Sequence, residues 1–134
     1  MRQNKPKIVI ARNDYEIISA YLKNTEILKS LDRINVEDLQ SELKRAKIVS
    51  NDVFPNDVVR INSTVILKDE TADKVMEVTV VTPDKADIKS RRISFMAPIG
   101  TALIGFKEGQ KVKWNVPFGR RDYLILKVMN GLSK

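Results

Sequence analysis

The sequence predicts an α+β fold, with a short N-terminal antiparallel helical hairpin followed by an antiparallel sheet domain that carries one short helix. Three observations predict it. Apolar residues recur at spacings of three and four as far as about residue 47. Pro55, Asn56 and Asp57 then break the helical period, and β-branched residues alternating with polar ones dominate the rest. A chain of 134 residues holds one core and a small appendage, and 43% hydrophobic with 31% charged residues is the composition of a chain that folds. The expected division is an N-terminal segment with the hairpin, 1–49, and a sheet domain, 50–134.

Asn13 can accept from the backbone at a helix start, and Glu16 follows at capping-box distance. Tyr15, Ile18, Leu22 and Leu28 then share one face, so a first helix is predicted from about Asp14 to Leu28. Asn35 and Asp38 repeat the start signal, and Val36, Leu39, Leu43 and Ala46 form the stripe of a second helix, about Val36 to Lys47. The connection, about Lys29 to Asn35, is short, which lays the helices antiparallel with their stripes facing. Each helix is then roughly 18 to 24 Å long.

Strand character begins at about Val58 and runs to Leu67, a polar turn covers Lys68 to Lys74, and Met76, Val78 and Val80 alternate with Glu77 and Thr79 on the return strand. A second hairpin has Val112, Trp114 and Val116 on one strand, Pro117-Phe118-Gly119 as its turn, and Leu124, Leu126 and Val128 on the other. Between the hairpins a short strand runs into Pro98, which suits the first turn of a helix because it lacks an N–H. Ile99, Leu103 and Ile104 can face inward there, and Gly105 can end the helix in a left-handed conformation.

Cysteine and histidine are both absent, which removes disulfides, thiolate and imidazole metal sites and the usual nucleophile–base pairs. No catalytic residue, metal or cofactor is expected, and the chain is not expected to be an enzyme. The longest apolar runs fall far short of the roughly 20 residues that cross a bilayer, and the basic stretch Met1–Lys7 is followed by no apolar targeting region. Cytoplasmic residence away from membranes is therefore expected. The net charge of +7 is spread evenly, +3 before residue 50 and +4 after it. Three clusters, Lys89-Arg91-Arg92, Lys107-Lys111-Lys113 and Arg120-Arg121, are candidates for a phosphate-binding patch if the fold brings them together; the alternative is a set of solvated faces.

The segment from Ile93 through Ala97-Pro98-Ile99-Gly100 to Gly105, followed by Gly109 to Gly119 with Trp114 and Pro117, resembles the C-terminal domain of the Gre transcript-cleavage factors. It is closer still to Rnk, the regulator of nucleoside diphosphate kinase, which Asp57 to Val65 and Ile8-Val9-Ile10 also resemble. The resemblance implies an FKBP-like C-terminal fold and a GreA/GreB/Rnk-type transcription elongation regulator that binds RNA polymerase at the coiled-coil rim of its secondary channel, with the coiled-coil-like hairpin pointing inward. A monomer that meets nucleic acid only indirectly, through the polymerase, is expected. The polymerase-binding residues carried over are Met96, Ala97, Pro98, Ile99 and Gly100. Gre factors typically place an acidic residue and a serine before that proline, where this chain has Met96-Ala97, so apolar packing is expected to replace hydrogen bonds there.

The family's long coiled coil presents acidic residues to the catalytic magnesium of the polymerase, whereas this hairpin is roughly half as long. Asp32, Glu37 and Asp38 lie near its tip but none aligns with the family's tip residues; capping explains Asp38, and solvation Asp32 and Glu37. No stimulation of transcript cleavage is expected. Two other readings stand beside this one. An FKBP-like prolyl isomerase would need an aromatic pocket, for which Phe54, Phe95, Phe106, Phe118, Trp114 and Tyr123 are available. A direct nucleic-acid binder, DNA included, would use the basic clusters.

Overall fold

The structure, a computed structural model, describes residues 8–24, 33–116 and 119–130. Strand β1 (Val9–Ala11) runs directly into α1 (Arg12–Leu22), and α2 (Arg33–Arg45) runs into β2 (Lys47–Val49). β1 and β2 pair in parallel, with Ile10 opposite Ile48. Both apolar stripes are buried as their spacing requires: Ile18 on α1, and Val36, Leu39 and Leu43 on α2. The helix starts differ from those expected. Ala11 caps α1 with extended backbone and no side-chain hydrogen bond, so Asn13 lies inside the helix and its N–H donates to Asn51 Oδ1 at 3.2 Å. Asn35 and Asp38 likewise lie within α2, so neither caps it. β1 feeds straight into α1 and fixes its start from outside, so the Asn13 capping signal is overridden there. α1 ends at Leu22, capped by Lys23, short of the expected end near Leu28; Leu28 itself and most of the connection from Lys29 lie outside the described residues.

The main sheet has five strands in the order β5 (Arg92–Ser94), β4 (Lys74–Val81), β3 (Thr64–Asp69), β7 (Gly119–Met129) and β6 (Lys111–Val116). β3 (Thr64–Asp69) and β4 (Lys74–Val81) form the first hairpin, with the Asp69 carboxylate accepting from the N–H groups of Thr71 and Ala72 in the turn. β6 (Lys111–Val116) and β7 (Gly119–Met129) form the second, and β7 pairs antiparallel with β3. The sheet is not wholly antiparallel, because β5 (Arg92–Ser94) lies parallel to β4.

β3 begins six residues later than expected: Val58 to Ile61 turn inward instead, with Val59 N–H donating to Phe106 O at 2.8 Å and Asn62 at φ 77° ending the turn. On β7 the inward residues are Tyr123, Ile125 and Val128, and Leu126 is exposed. A bulge explains the change of phase, since Leu67 faces Ile125 while Ile66 faces Lys127, leaving Leu126 unpaired between them.

Helix α3 (Pro98–Leu103) starts at its proline and ends ahead of Gly105, which takes φ 83° as expected. The position also forbids a side chain, because a Cβ there would sit 2.6 Å from Ile8 Cβ. One core joins Ile8, Ile10, Ile18 and Leu39 to Val65, Leu67, Phe95, Leu103 and Ile125. Among the described residues no helix is long and apolar enough to cross a membrane.

Candidate functional site

The residues around Pro98 are held by a tight turn. Ser94 Oγ accepts from Met96 N–H at 2.9 Å, Ser94 O accepts from Ala97 N–H at 3.0 Å, and Thr101 Oγ1 donates to Phe95 O at 2.8 Å. Gly100 makes the turn possible, since a Cβ on it would lie 2.0 Å from Ser94 O. The five residues carried over from the resemblance therefore divide by depth. Met96 is 1% exposed and belongs to the core, and Gly100 is buried against β5. Ala97 and Ile99 are half-buried. Pro98 occupies the first position of α3.

Ala97 and Ile99 open onto a groove of about 890 Å³ floored by Met76, Val78, Ile93 and Tyr123. Val75 and Ile88 also line it, at 64% and 89% exposure, although burial is the ordinary state of such side chains. Lys74, Arg91 and Arg92 flank the groove, with Glu77 as the acid on the same lining. Arg91 and Arg92 stood out in the sequence as part of a basic cluster, whereas Val75 and Ile88 did not, because the exposure of an apolar residue beside a sheet depends on what covers the sheet.

A second constellation lies between α1 and the 58–63 turn. Asp14, 3% exposed, accepts from Ile61 N–H at 3.0 Å and pairs with Arg60 Nε at 3.5 Å, while the Arg60 guanidinium sits 5.0 Å from the centre of the Phe54 ring. Burial pushes the Asp14 carboxyl above the usual carboxylate range, against the Ile61 N–H and Arg60, which pull it down. At the other end of α1, Tyr21 O–H donates to Asp84 at 2.6 Å and its ring meets Phe95 edge-on at 5.6 Å. That hydrogen bond raises the Tyr21 pKa and is the main cause lowering that of Asp84.

Of the tip acids, Glu37 is exposed on α2, Asp38 lies within α2, and Asp32 is outside the described residues. Among the described residues no group of three or more His, Cys, Asp or Glu is arranged to hold a metal ion. The three basic clusters do not all come together: Lys111 and Lys113 on β6 and Arg120 and Arg121 on β7 share one hairpin, in which Arg121 stands opposite Trp114, whereas Lys89, Arg91 and Arg92 are at the β5 edge on the other side of the sheet. The aromatic candidates disperse as well, with Phe95 and Phe106 in the core and Phe54 beneath Arg60.

These features define a small α+β protein with an apolar, cation-flanked groove beside a proline-initiated helix. The family model for the C-terminal domain of transcription elongation factors GreA/GreB matches residues 54–130. Transcription elongation factor GreA of Chelativorans sp. is 30% identical over 97% of this chain and 86% of its own length, and that of Mesorhizobium japonicum is 30% identical over 95% and 84%. A solved GreA/GreB structure from Nitrosomonas europaea superposes with a TM-score of 0.73 at 33% identity, over 94% of this chain and all of the other. The chain belongs to the GreA/GreB family of transcription elongation factors.

Proposed function

We propose that this protein is a Rnk-type member of the family that docks on RNA polymerase at the rim of the secondary channel, as a monomer acting in the cytoplasm, and does not stimulate transcript cleavage. The observation that carries the docking is the groove at Ala97 and Ile99, which places two residues of the family-like block on one open apolar surface. Met96 and Gly100 serve that surface from behind: one fills the core beneath it, the other lets α3 approach β5. We read residues 50–134 as an FKBP-like docking domain and the two helices as an antiparallel hairpin directed into the channel.

Reach supports the absence of cleavage. The described helices span 11 and 13 residues, about 16 and 20 Å, roughly half the length the family uses. Carboxylates that stop short of the catalytic magnesium act only through screened solution, where the Debye length is about 8 Å. Exclusion of longer factors from the channel mouth is then the mode of action, with no catalytic residue of its own.

The test is a binding measurement with core RNA polymerase, followed by cleavage assays on backtracked elongation complexes. Binding without accelerated cleavage, together with slowing of an added Gre factor, is the expected result. Rapid cleavage by the protein alone, abolished by Asp32→Asn or Asp38→Asn, would refute the reading.

A further inference from the structure

We infer that the outer face of the main sheet binds single-stranded RNA directly, with lysines of β3, β6 and β7 taking its phosphates and Leu124 and Leu126 lying under its bases. This goes beyond the indirect contact expected from the resemblance, and none of these residues lines the groove. Alternation gives the sheet two faces. Val65, Leu67, Val78 and Ile125 turn inward to the core shared with Ile18, Leu39 and Leu103 of the three helices. Residues between them on the strands therefore face away from the described helices.

The first support is the pattern across three strands. Leu124 of β7 stands opposite Lys111 of β6 on one side and Lys68 of β3 on the other, so a half-buried leucine is bracketed by two lysines about 9.6 Å apart. Lys113 follows Lys111 on the same face at about 6.6 Å, and Lys127 stands opposite Ile66 at the far end of the row. The bulge on β7 then turns Leu126 outward, at 41% exposure. Cations set about a nucleotide's length apart, with apolar side chains between them, suit a strand that offers phosphates and uncovered bases together. A duplex buries its base faces and has no use for the leucines.

The second support is charge. Lys113 and Lys127 are exposed and have no ion pair among the described residues. Lys68 pairs with Asp73 at 3.4 Å and Lys111 with Glu70 at 3.6 Å, but these are surface pairs, in which a phosphate readily replaces the carboxylate. Two acids belong to the same face, Glu77 opposite Ile66 and Asp122 opposite Lys113. Toward the hairpin turn, Arg120 and Arg121 hold the register positions opposite Asn115 and Trp114, so positive charge continues along β7. The complement of such a face is a polyanion.

The experiment measures binding of the full chain, without polymerase, to a short labelled single-stranded RNA of mixed sequence across a salt series. Wild type is compared with Lys113→Gln/Lys127→Gln, Leu126→Ser and Arg91→Gln/Arg92→Gln, and duplex DNA and polyglutamate serve as competitors. Wild-type binding should weaken as salt rises. The lysine variant should bind roughly tenfold more weakly at low salt, and its slope of log affinity against log salt should be flatter by about 1.4, two contacts at about 0.7 each. Leu126→Ser should weaken binding without changing the slope, and Arg91→Gln/Arg92→Gln should bind like the wild type. RNA should also protect Lys113 and Lys127 of the unaltered protein from chemical acetylation, which reads the site without a substitution. Absence of wild-type binding at low salt, or wild-type affinity in the lysine variant, would overturn the inference. So would competition by duplex DNA or polyglutamate as strong as that by unlabelled RNA, or a loss confined to Arg91→Gln/Arg92→Gln. Polymerase is absent throughout, so each of these failures leaves the docking reading standing.

Discussion

The seam at Asp14 and the groove at Ile99 contain similar residues in opposite states. At the seam an acid, a guanidinium and an aromatic ring meet one another, the acid buried and the other two half-buried. At the groove, cations and aliphatic side chains stand beside water with no partner among the described residues. The seam is saturated from within the chain and therefore orients one part of it against another. The groove is left incomplete, which costs solubility unless a partner completes it. Polar chemistry thus does structural work where it is hidden in this protein, and the proposed docking surface is mainly apolar.

Substitutions can break or sharpen that contrast. The largest effect is expected at Gly100→Ala, where a methyl group must enter the space of Ser94 O; a loss of about 4 kcal/mol, read by chemical denaturation, would show how much stability the groove's rear wall carries. Next is Ala97→Asp, which should weaken polymerase binding by about 3 kcal/mol through a desolvated charge. Its folding should be unharmed, because Ala97 is the extended N-cap of α3 and aspartate favours that position. Binding lost with an unchanged denaturation midpoint separates contact from folding.

At the seam, Asp14→Ala should cost about 2 kcal/mol by leaving the Ile61 N–H and the partly exposed Arg60 without their acceptor. The pH dependence has a definite sign. With its pKa raised, folded Asp14 keeps its proton at pH values where the unfolded chain has lost it. Its contribution to stability is therefore complete below the ordinary value of 3.8 and is lost as pH rises through the raised pKa, and Asp14→Asn should flatten that part of the curve. The smallest effect is expected at Tyr21→Phe, which keeps the ring against Phe95 and removes only an exposed hydrogen bond. No measurable change in the denaturation midpoint is expected; a clear loss would make the Asp84 contact a second seam.

Wherever one element's own pattern decided the outcome, it was legible in the sequence. Leu39 and Leu43 are buried because their spacing leaves one face for the core, and Pro98 and Gly105 bound α3 because each fixes its local backbone. What was not legible depends on residues distant in the chain. β1 sets the start of α1, so the Asn13 signal is overruled. A bulge opposite β3 reverses the phase of β7, so Leu126 faces out and Ile125 in. Within the family-like block the depth of each residue was not legible, and Met96 went to the core because the Ser94 turn points it there. Asp14 passed unnoticed because an acid in a helix's first turn is ordinary, and only Ile61 and Arg60, 46 and more residues away, make it unusual.

The seat of Ile8 on Gly105 bears on the order in which the chain can fold during synthesis. Val9 N–H donates to Gly105 O at 3.0 Å, so a segment near the start of the chain rests on a residue made much later. A ribosome releases the helices long before the support beneath them exists, and contacts of such sequence separation are closed slowly. The two amphipathic helices are therefore without the sheet side of their core until the α3 turn emerges, and the N-terminal segment is the part of the chain whose packing is completed last.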